Sequence, residues 1–174
     1  MKAELKKEGK EWLKATVIAI VLLIFIRAFF ITSYVVEGGS MFPTLEDGNK
    51  LIVNKFIYRI SDLERFDVIV FHANKHADYV KRVIGLPGDT VEYKNEQLYI
   101  NGELYEEPYL GTYGLDENAT GDFKVYVPEG KLFVLGDNRK NSLDSRDFGF
   151  IDIDSVVGKV NLRYWPLNEL TVFF

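Results

Sequence analysis

The chain has 174 residues, 47% of them hydrophobic, 14% aromatic and 27% charged, with a net charge of −5. That apolar content suffices for a packed core and excludes wholesale disorder, while 21 Lys and Arg against 26 Asp and Glu exclude the basic excess of a general nucleic-acid binder. The absence of Cys excludes disulfide frameworks, thiolate zinc sites and Cys nucleophiles, and leaves the redox compartment open.

The first 14 residues carry five Lys against three Glu. Residues 15–34 follow with a single charge, Arg27. A helix of 20 residues rises about 30 Å, the thickness of a bilayer's hydrocarbon layer. Trp12 stands at one end, and Phe29, Phe30 and Tyr34 at the other, where aromatic belts belong. The uninterrupted apolar stretch, 15–26, also fits the ~7–15 residues of a signal peptide's apolar region. No small-x-small processing site follows it, so the segment reads as a retained anchor. The lysines predict that 1–14 is cytoplasmic, 15–34 transmembrane and the acidic remainder, 35–174, extracytoplasmic.

Beyond the anchor the hydrophobic period becomes alternating. Strands are predicted at 68–71, 79–84, 90–93, 97–100, 123–127, 131–135 and 156–164. Turn signals separate them, among them Asp47-Gly48, Pro87-Gly88-Asp89, Asn101-Gly102 and Gly136-Asp137-Asn138. Strands at this density, with no long amphipathic helix between them, indicate a mainly antiparallel β domain. Residues 105–122 read as a long exposed loop.

Three segments are richer in polar groups than strands and turns require. In Glu37-Gly38-Gly39-Ser40-Met41-Phe42-Pro43-Thr44-Leu45 the glycines permit a tight turn before a serine, with peptide N–H groups available to a developing oxyanion; a simple hinge leaving the membrane is the plainer reading of this segment alone. In Asp78-Tyr79-Val80-Lys81-Arg82-Val83 neighbouring cations point to opposite faces of a strand. One of them then faces inward, and a desolvated Lys becomes a usable base near neutral pH; an edge strand with two solvated cations is the plainer reading. The stretch 136–149 is dense in hydrogen-bonding side chains, and could be a locked polar scaffold or a solvated connector with Asx turns. His72 and His76, the Asn118-Ala119-Thr120 sequon, and Asp152 with Asp154 lack the companions that metal, glycan or calcium sites require.

Taken together and in order, these segments resemble the boxes of the type I signal peptidases, the membrane-bound Ser–Lys proteases of bacteria. Phe66-Asp67-Val68-Ile69-Val70-Phe71 matches the strand between the first two boxes, and the short, single-anchor, Cys-free chain is similar to members from Gram-positive bacteria. The resemblance implies an antiparallel β-sheet domain behind one transmembrane helix. It implies an endopeptidase with Ser40 as nucleophile and Lys81 as general base, and with Ser142 against the lysine amine. Asp144 and Arg146 become a supporting salt bridge. Tyr34, Val36, Met41, Leu45, Tyr79 and Val80 fall where relatives line shallow pockets for small residues before the scissile bond, which suits an Ala-x-Ala segment bound as an added strand.

The implied partners are signal peptides of exported preproteins, the lipid bilayer and the translocation machinery, with no nucleic acid. No cofactor or metal is implied, and the implied location is the cell membrane, single-pass. Many Gram-negative relatives carry a serine where Gly38 stands. The oxyanion hole is then expected to rest on the Ser40 N–H and a second donor, a water or another group. Two other readings share features of the chain: a tethered β domain that only binds a partner, and a self-cleaving Ser–Lys repressor, against which the anchor and the lack of DNA-binding helices argue.

Overall fold

The computed structural model describes residues 2–56, 63–111 and 120–173, and within the first helix it describes side chains for 9–24. That helix, α1, runs Lys2–Phe29. All of its described side chains are exposed, the apolar ones included. Among the described residues no helix is long and apolar enough to cross a membrane; of the expected anchor, the side chains of 25–29 lie outside that set. The apolar run does not stay helical to Tyr34. It turns after Phe29 and enters a strand.

Twelve strands follow among the described residues: β1 (Ile31–Val35), β2 (Lys50–Asn54), β3 (Val68–His72), β4 (Asp78–Gly85), β5 (Thr90–Lys94), β6 (Gln97–Ile100), β7 (Glu103–Tyr105), β8 (Phe123–Tyr126), β9 (Lys131–Leu135), β10 (Ile151–Asp152), β11 (Val156–Trp165) and β12 (Thr171–Val172). A short helix, α2, spans Ser145–Phe148. The larger sheet has the order β1-β2-β11-β3-β4-β9-β10, with β12 beside β11; the smaller runs β7-β6-β5-β8. All pairings are antiparallel, as the alternating pattern predicts.

The seven expected strands are present, each within about a residue or two of its expected bounds. β1 is absent from the sequence reading because its apolar residues follow the helix without a break. β7 follows the expected Asn101-Gly102 turn, where both residues adopt positive φ, as a two-residue hairpin turn demands. The described parts of 105–122 are not a simple exposed loop. Pro108–Leu110 form a 3₁₀ turn, Leu110 and Thr120 are buried, and 112–119 lie outside the described residues, with Asn118 and Ala119 of the sequon among them.

Three apolar clusters fill the domain. Val36, Met41, Leu45, Leu51 and Val70 form one, with Tyr34 and Val80 against it. Ile69, Phe71, Val83 and Val134 form a second, with Tyr79 against it. The smaller sheet closes a third around Ile84, Val91, Tyr93 and Phe133. β4 is therefore covered on both faces. Its side chains alternate as a strand must, yet Lys81 and Arg82 are both buried, at 4% and 6% exposure. The expectation that only one faces inward fails because the smaller sheet covers the other face.

Candidate active site

Ser40 sits on the loop between β1 and β2. Gly38 adopts φ +83°, a conformation that favours glycine, and its N–H donates to Asp47 Oδ1 at 2.7 Å. That donor is thus already engaged and is not open to an oxyanion. Beyond the serine, Met41 and Leu45 plunge into the core at 1% and 0% exposure. Asn138 clamps the loop from across the fold: its N–H donates to Ser40 O at 3.0 Å and its Nδ2 to Gly39 O at 2.9 Å.

Lys81 lies on β4, where its Nζ donates to Ser40 Oγ at 2.7 Å and rests 5.5 Å from the centre of the Tyr79 ring. Burial lowers its ammonium from 10.5 to about 8, against the opposing pull of the Asp144 and Asp137 carboxylates. Such an amine is partly neutral near physiological pH and can accept a hydroxyl proton; an arginine in its place could not.

The segment after β9 is a polar scaffold, not a solvated connector. Gly136 touches the site so closely that a Cβ there would lie 2.4 Å from Ser40 O and 2.1 Å from Ser142 Oγ. Asp137 accepts from Arg82 Nε at 2.9 Å and Nη2 at 2.7 Å, and from the Thr44 hydroxyl. Arg82 also donates to Phe66 O and lies 3.8 Å from the centre of the Tyr109 ring. Asp144 accepts bidentately from Arg146 Nε and Nη2, both at 2.8 Å, and from the Gly136 N–H at 3.0 Å. Burial alone would raise the Asp144 carboxyl, but Arg146 and the Gly136 N–H outweigh it and hold it below the usual range. Arg146 also donates to Arg139 O. Arg139, fully buried, pairs with Glu107 at 2.6 Å and with the Tyr93 hydroxyl, and so carries the scaffold into the smaller sheet.

The Asp144–Arg146 pair expected from the sequence is thus present. The Ser142 hydroxyl is buried beside Gly136 and helps draw the Asp144 carboxyl down; no hydrogen bond from it to the lysine amine is found among the described residues. Sequence reading missed the clamping roles of Asn138, Gly136, Asp137 and Thr44. Their only signal was the density of polar residues after β9.

A groove of about 760 Å³ opens over the Ser40–Lys81 pair. Tyr34, Val36, Met41, Tyr79 and Val80 line it. Leu45 does not; it lies beneath, in the core. His72 belongs to no metal cluster and instead bonds Asp78 at 2.6 Å, which also accepts from Tyr34 OH at 2.7 Å. Among the described residues no group of three or more His, Cys, Asp or Glu could hold a metal. Among the described residues β1 pairs only with β2 in the larger sheet, and β4 pairs with β9 only from Arg82 onward. Both strands therefore offer unpaired backbone along the groove. Chemically, the site brings together a serine hydroxyl, a buried amine in contact with it and two open strand edges.

The family described as "Signal peptidase, peptidase S26" matches residues 9–165. The chain is 52% identical to Signal peptidase I of Bacillus caldolyticus, with 100% of both chains covered. It is 48% identical to Signal peptidase IB of Staphylococcus aureus (strain MRSA252), covering 98% of this chain and 96% of that one. A crystal structure of a signal peptidase I from Enterococcus faecalis V583 matches with a TM-score of 0.53 and 45% identity, over 57% of this chain and 97% of that one. With the family matched along nearly its whole length, the chain belongs to the signal peptidases of peptidase family S26 and is a serine peptidase.

Proposed function

We propose that the protein is a membrane-anchored endopeptidase that removes signal peptides from exported preproteins after small-x-small sites. The observation that carries this reading is the 2.7 Å contact between Ser40 Oγ and a Lys81 amine that is 4% exposed. A module that only binds a partner gains nothing from burying a lysine against a serine. Neutral Lys81 takes the Ser40 proton as Oγ attacks the scissile carbonyl carbon. The tetrahedral intermediate collapses as Lys81 returns the proton to the leaving amine. Water, deprotonated by the same amine, then releases the acyl group and restores Ser40.

The peptide would enter as an added strand between the open edges of β1 and β4. Small residues suit the shallow wall made by Val36, Met41 and Val80. Ser142, Asp144 and Arg146 act as support, the last two by fixing the loop that carries Gly136 and Asn138.

The anchor is α1. Its described large apolar side chains, including Val17, Ile18, Leu22 and Leu23, are more than half exposed, and such a stripe of uncovered apolar surface calls for a lipid covering. With the lysines of 1–14 on the cytoplasmic side, the β domain stands outside. Ser40 then sits near the outer membrane surface, where the translocation machinery delivers cleavage sites, and the local substrate concentration is high.

The test is cleavage of a preprotein by the full chain in detergent. Ser40→Ala and Lys81→Ala are each expected to abolish cleavage while circular dichroism stays that of the parent. Normal turnover by either variant refutes the assignment.

A further inference from the structure

Ser40 is held from behind. Asn138 donates its Nδ2 to Gly39 O at 2.9 Å and its backbone N–H to Ser40 O at 3.0 Å, so one residue grips both peptide units that flank the Ser40 Cα. The Phe42 N–H adds a second bond to Gly39 O, at 3.2 Å. Asn138 is itself firmly placed. Its neighbours Asp137 and Arg139 are 1% and 3% exposed, and each is locked in an ion pair, with Arg82 and Glu107 respectively. Ser40 lines the groove, whereas Asn138 does not. The asparagine therefore acts on the serine without entering the space a substrate would fill.

The direction of one N–H follows. The Gly39–Ser40 peptide is trans, and in a planar trans unit the C=O and the N–H point opposite ways. With Gly39 O drawn toward Asn138, the Ser40 N–H points away from it. Among the described residues no acceptor takes that N–H, while the Gly38 N–H is engaged by Asp47. An acyl carbon bonded to Ser40 Oγ carries its oxygen close to the same residue's N–H, the position of an oxyanion donor. Two donors on Gly39 O also polarise the peptide unit and strengthen its N–H.

We propose that Asn138 is the positioning residue of the oxyanion site: by holding Gly39 O it turns the Ser40 N–H into the groove, where that N–H meets the developing negative charge. The assignment rests on the peptidase reading above. Removing one oxyanion donor outright costs about 10²–10³ in kcat. Asn138 orients such a donor, and Phe42 still holds Gly39 O in its absence, so a loss of about 10- to 100-fold is expected. The bond to the oxyanion forms only as charge develops, so kcat and kcat/KM fall together and KM stays.

The experiment measures kcat and KM of the full chain in detergent micelles on a peptide with Ala-Ala-Ala before the scissile bond, for the parent, Asn138→Ala and Asn138→Leu. Leucine keeps the volume of the side chain and lacks its donor, so both variants should show that loss in kcat. The pH at which activity rises, set by Lys81 at about 8, should not move. A peptide aldehyde of the same sequence probes the oxyanion alone: its carbonyl carbon bonds Ser40 Oγ, the hydroxyl proton passes to Lys81, and the carbonyl oxygen takes the negative charge. Its inhibition constant should rise by the factor that kcat loses. Asn138 is only partly buried and its main-chain bond to Ser40 O survives substitution, so Tm should fall by less than about 6 °C. If the parent cleaves no peptide, the peptidase reading itself falls. If the parent cleaves and Asn138→Leu matches it, or the loss lies in KM, or the pH of onset moves, or aldehyde affinity is unchanged, or both variants unfold, the peptidase reading stands and the assignment of Asn138 is overturned.

Discussion

Lys81→Met should make the protein more stable and inactive, and the size of the gain should depend on pH. Lys81 is buried, and its ammonium falls from 10.5 to about 8 in the fold. Each tenfold loss of proton affinity corresponds to about 1.36 kcal/mol, so folding with a charged Lys81 costs roughly 3 kcal/mol. Because the folded value lies below the unfolded one, that cost is fully present below about pH 8. Between about 8 and 10.5 the unfolded chain holds a proton that the folded chain has lost, so stability rises with pH. Above 10.5 the amine is neutral in both states and the cost is gone.

Methionine has similar length and no charge, and Ser40, only partly buried, can exchange the lost partner for water. At pH 7 the variant should therefore exceed the parent by up to about 3 kcal/mol, a Tm rise of roughly 6–12 °C for a chain of this size. The two should converge near pH 10.5. Paired urea and thermal unfolding of the full chain in one detergent, at pH 7 and pH 10.5, measures the difference; groups that titrate alike in both proteins cancel. A difference that is absent at pH 7, or equal at both pH values, would refute the claim that burial sets the amine's affinity.

The same amine should make kcat/KM climb as pH rises through about 8 and then level off, and a flat profile from pH 5 to 10 contradicts a lysine base. Lys81→Arg, permanently charged, should be inactive across that range. Gly136→Ala puts a methyl group 2.4 Å from the Ser40 carbonyl and must displace the nucleophile loop; a shift of about 1 Å costs on the order of 100-fold in rate, to be read as kcat with an unchanged circular dichroism spectrum. Asp137→Ala strips the buried Arg82 of its partner, and urea unfolding should show a loss of about 3–5 kcal/mol; a loss below about 1 kcal/mol would mean that solvent reaches the guanidinium.

Much of this site can be read along the chain because its signals are local. The glycines before Ser40, the paired cations at 81 and 82 and the polar run after β9 each lie within a dozen residues, and their order carries the family resemblance. The alternation that marks β3, β4, β5 and β9 is also local. What escapes is contact over distance. The Asn138 side chain reaches Gly39 across 99 residues and Arg82 reaches Asp137 across 55, and nothing in the spacing announces either. The burial of Arg82 depends on a second sheet covering β4, which no single strand can reveal. Leu45 shares its apolar character with Met41, yet only the latter reaches the groove, because the loop turns between them. β1 escapes for a different reason, since an apolar run that changes from helix to strand carries no break in composition.

The hold of Glu107 and Tyr93 on Arg139 sets how far the smaller sheet can be redesigned. A trimmed version that dropped the β6–β7 hairpin and the turn after it would strand a guanidinium in a dry interior, one carbonyl away from the Asp144–Arg146 brace. The tip at Asn95-Glu96 shares that duty: Glu96 accepts from the Thr120 and Gly121 N–H groups at 3.0 and 3.2 Å, and the Thr120 hydroxyl accepts from Arg139. Tags, insertions or reporter loops therefore belong away from that tip, and Tyr93, Glu96 and Glu107 are positions on that side of the domain on which the geometry of a distant serine depends.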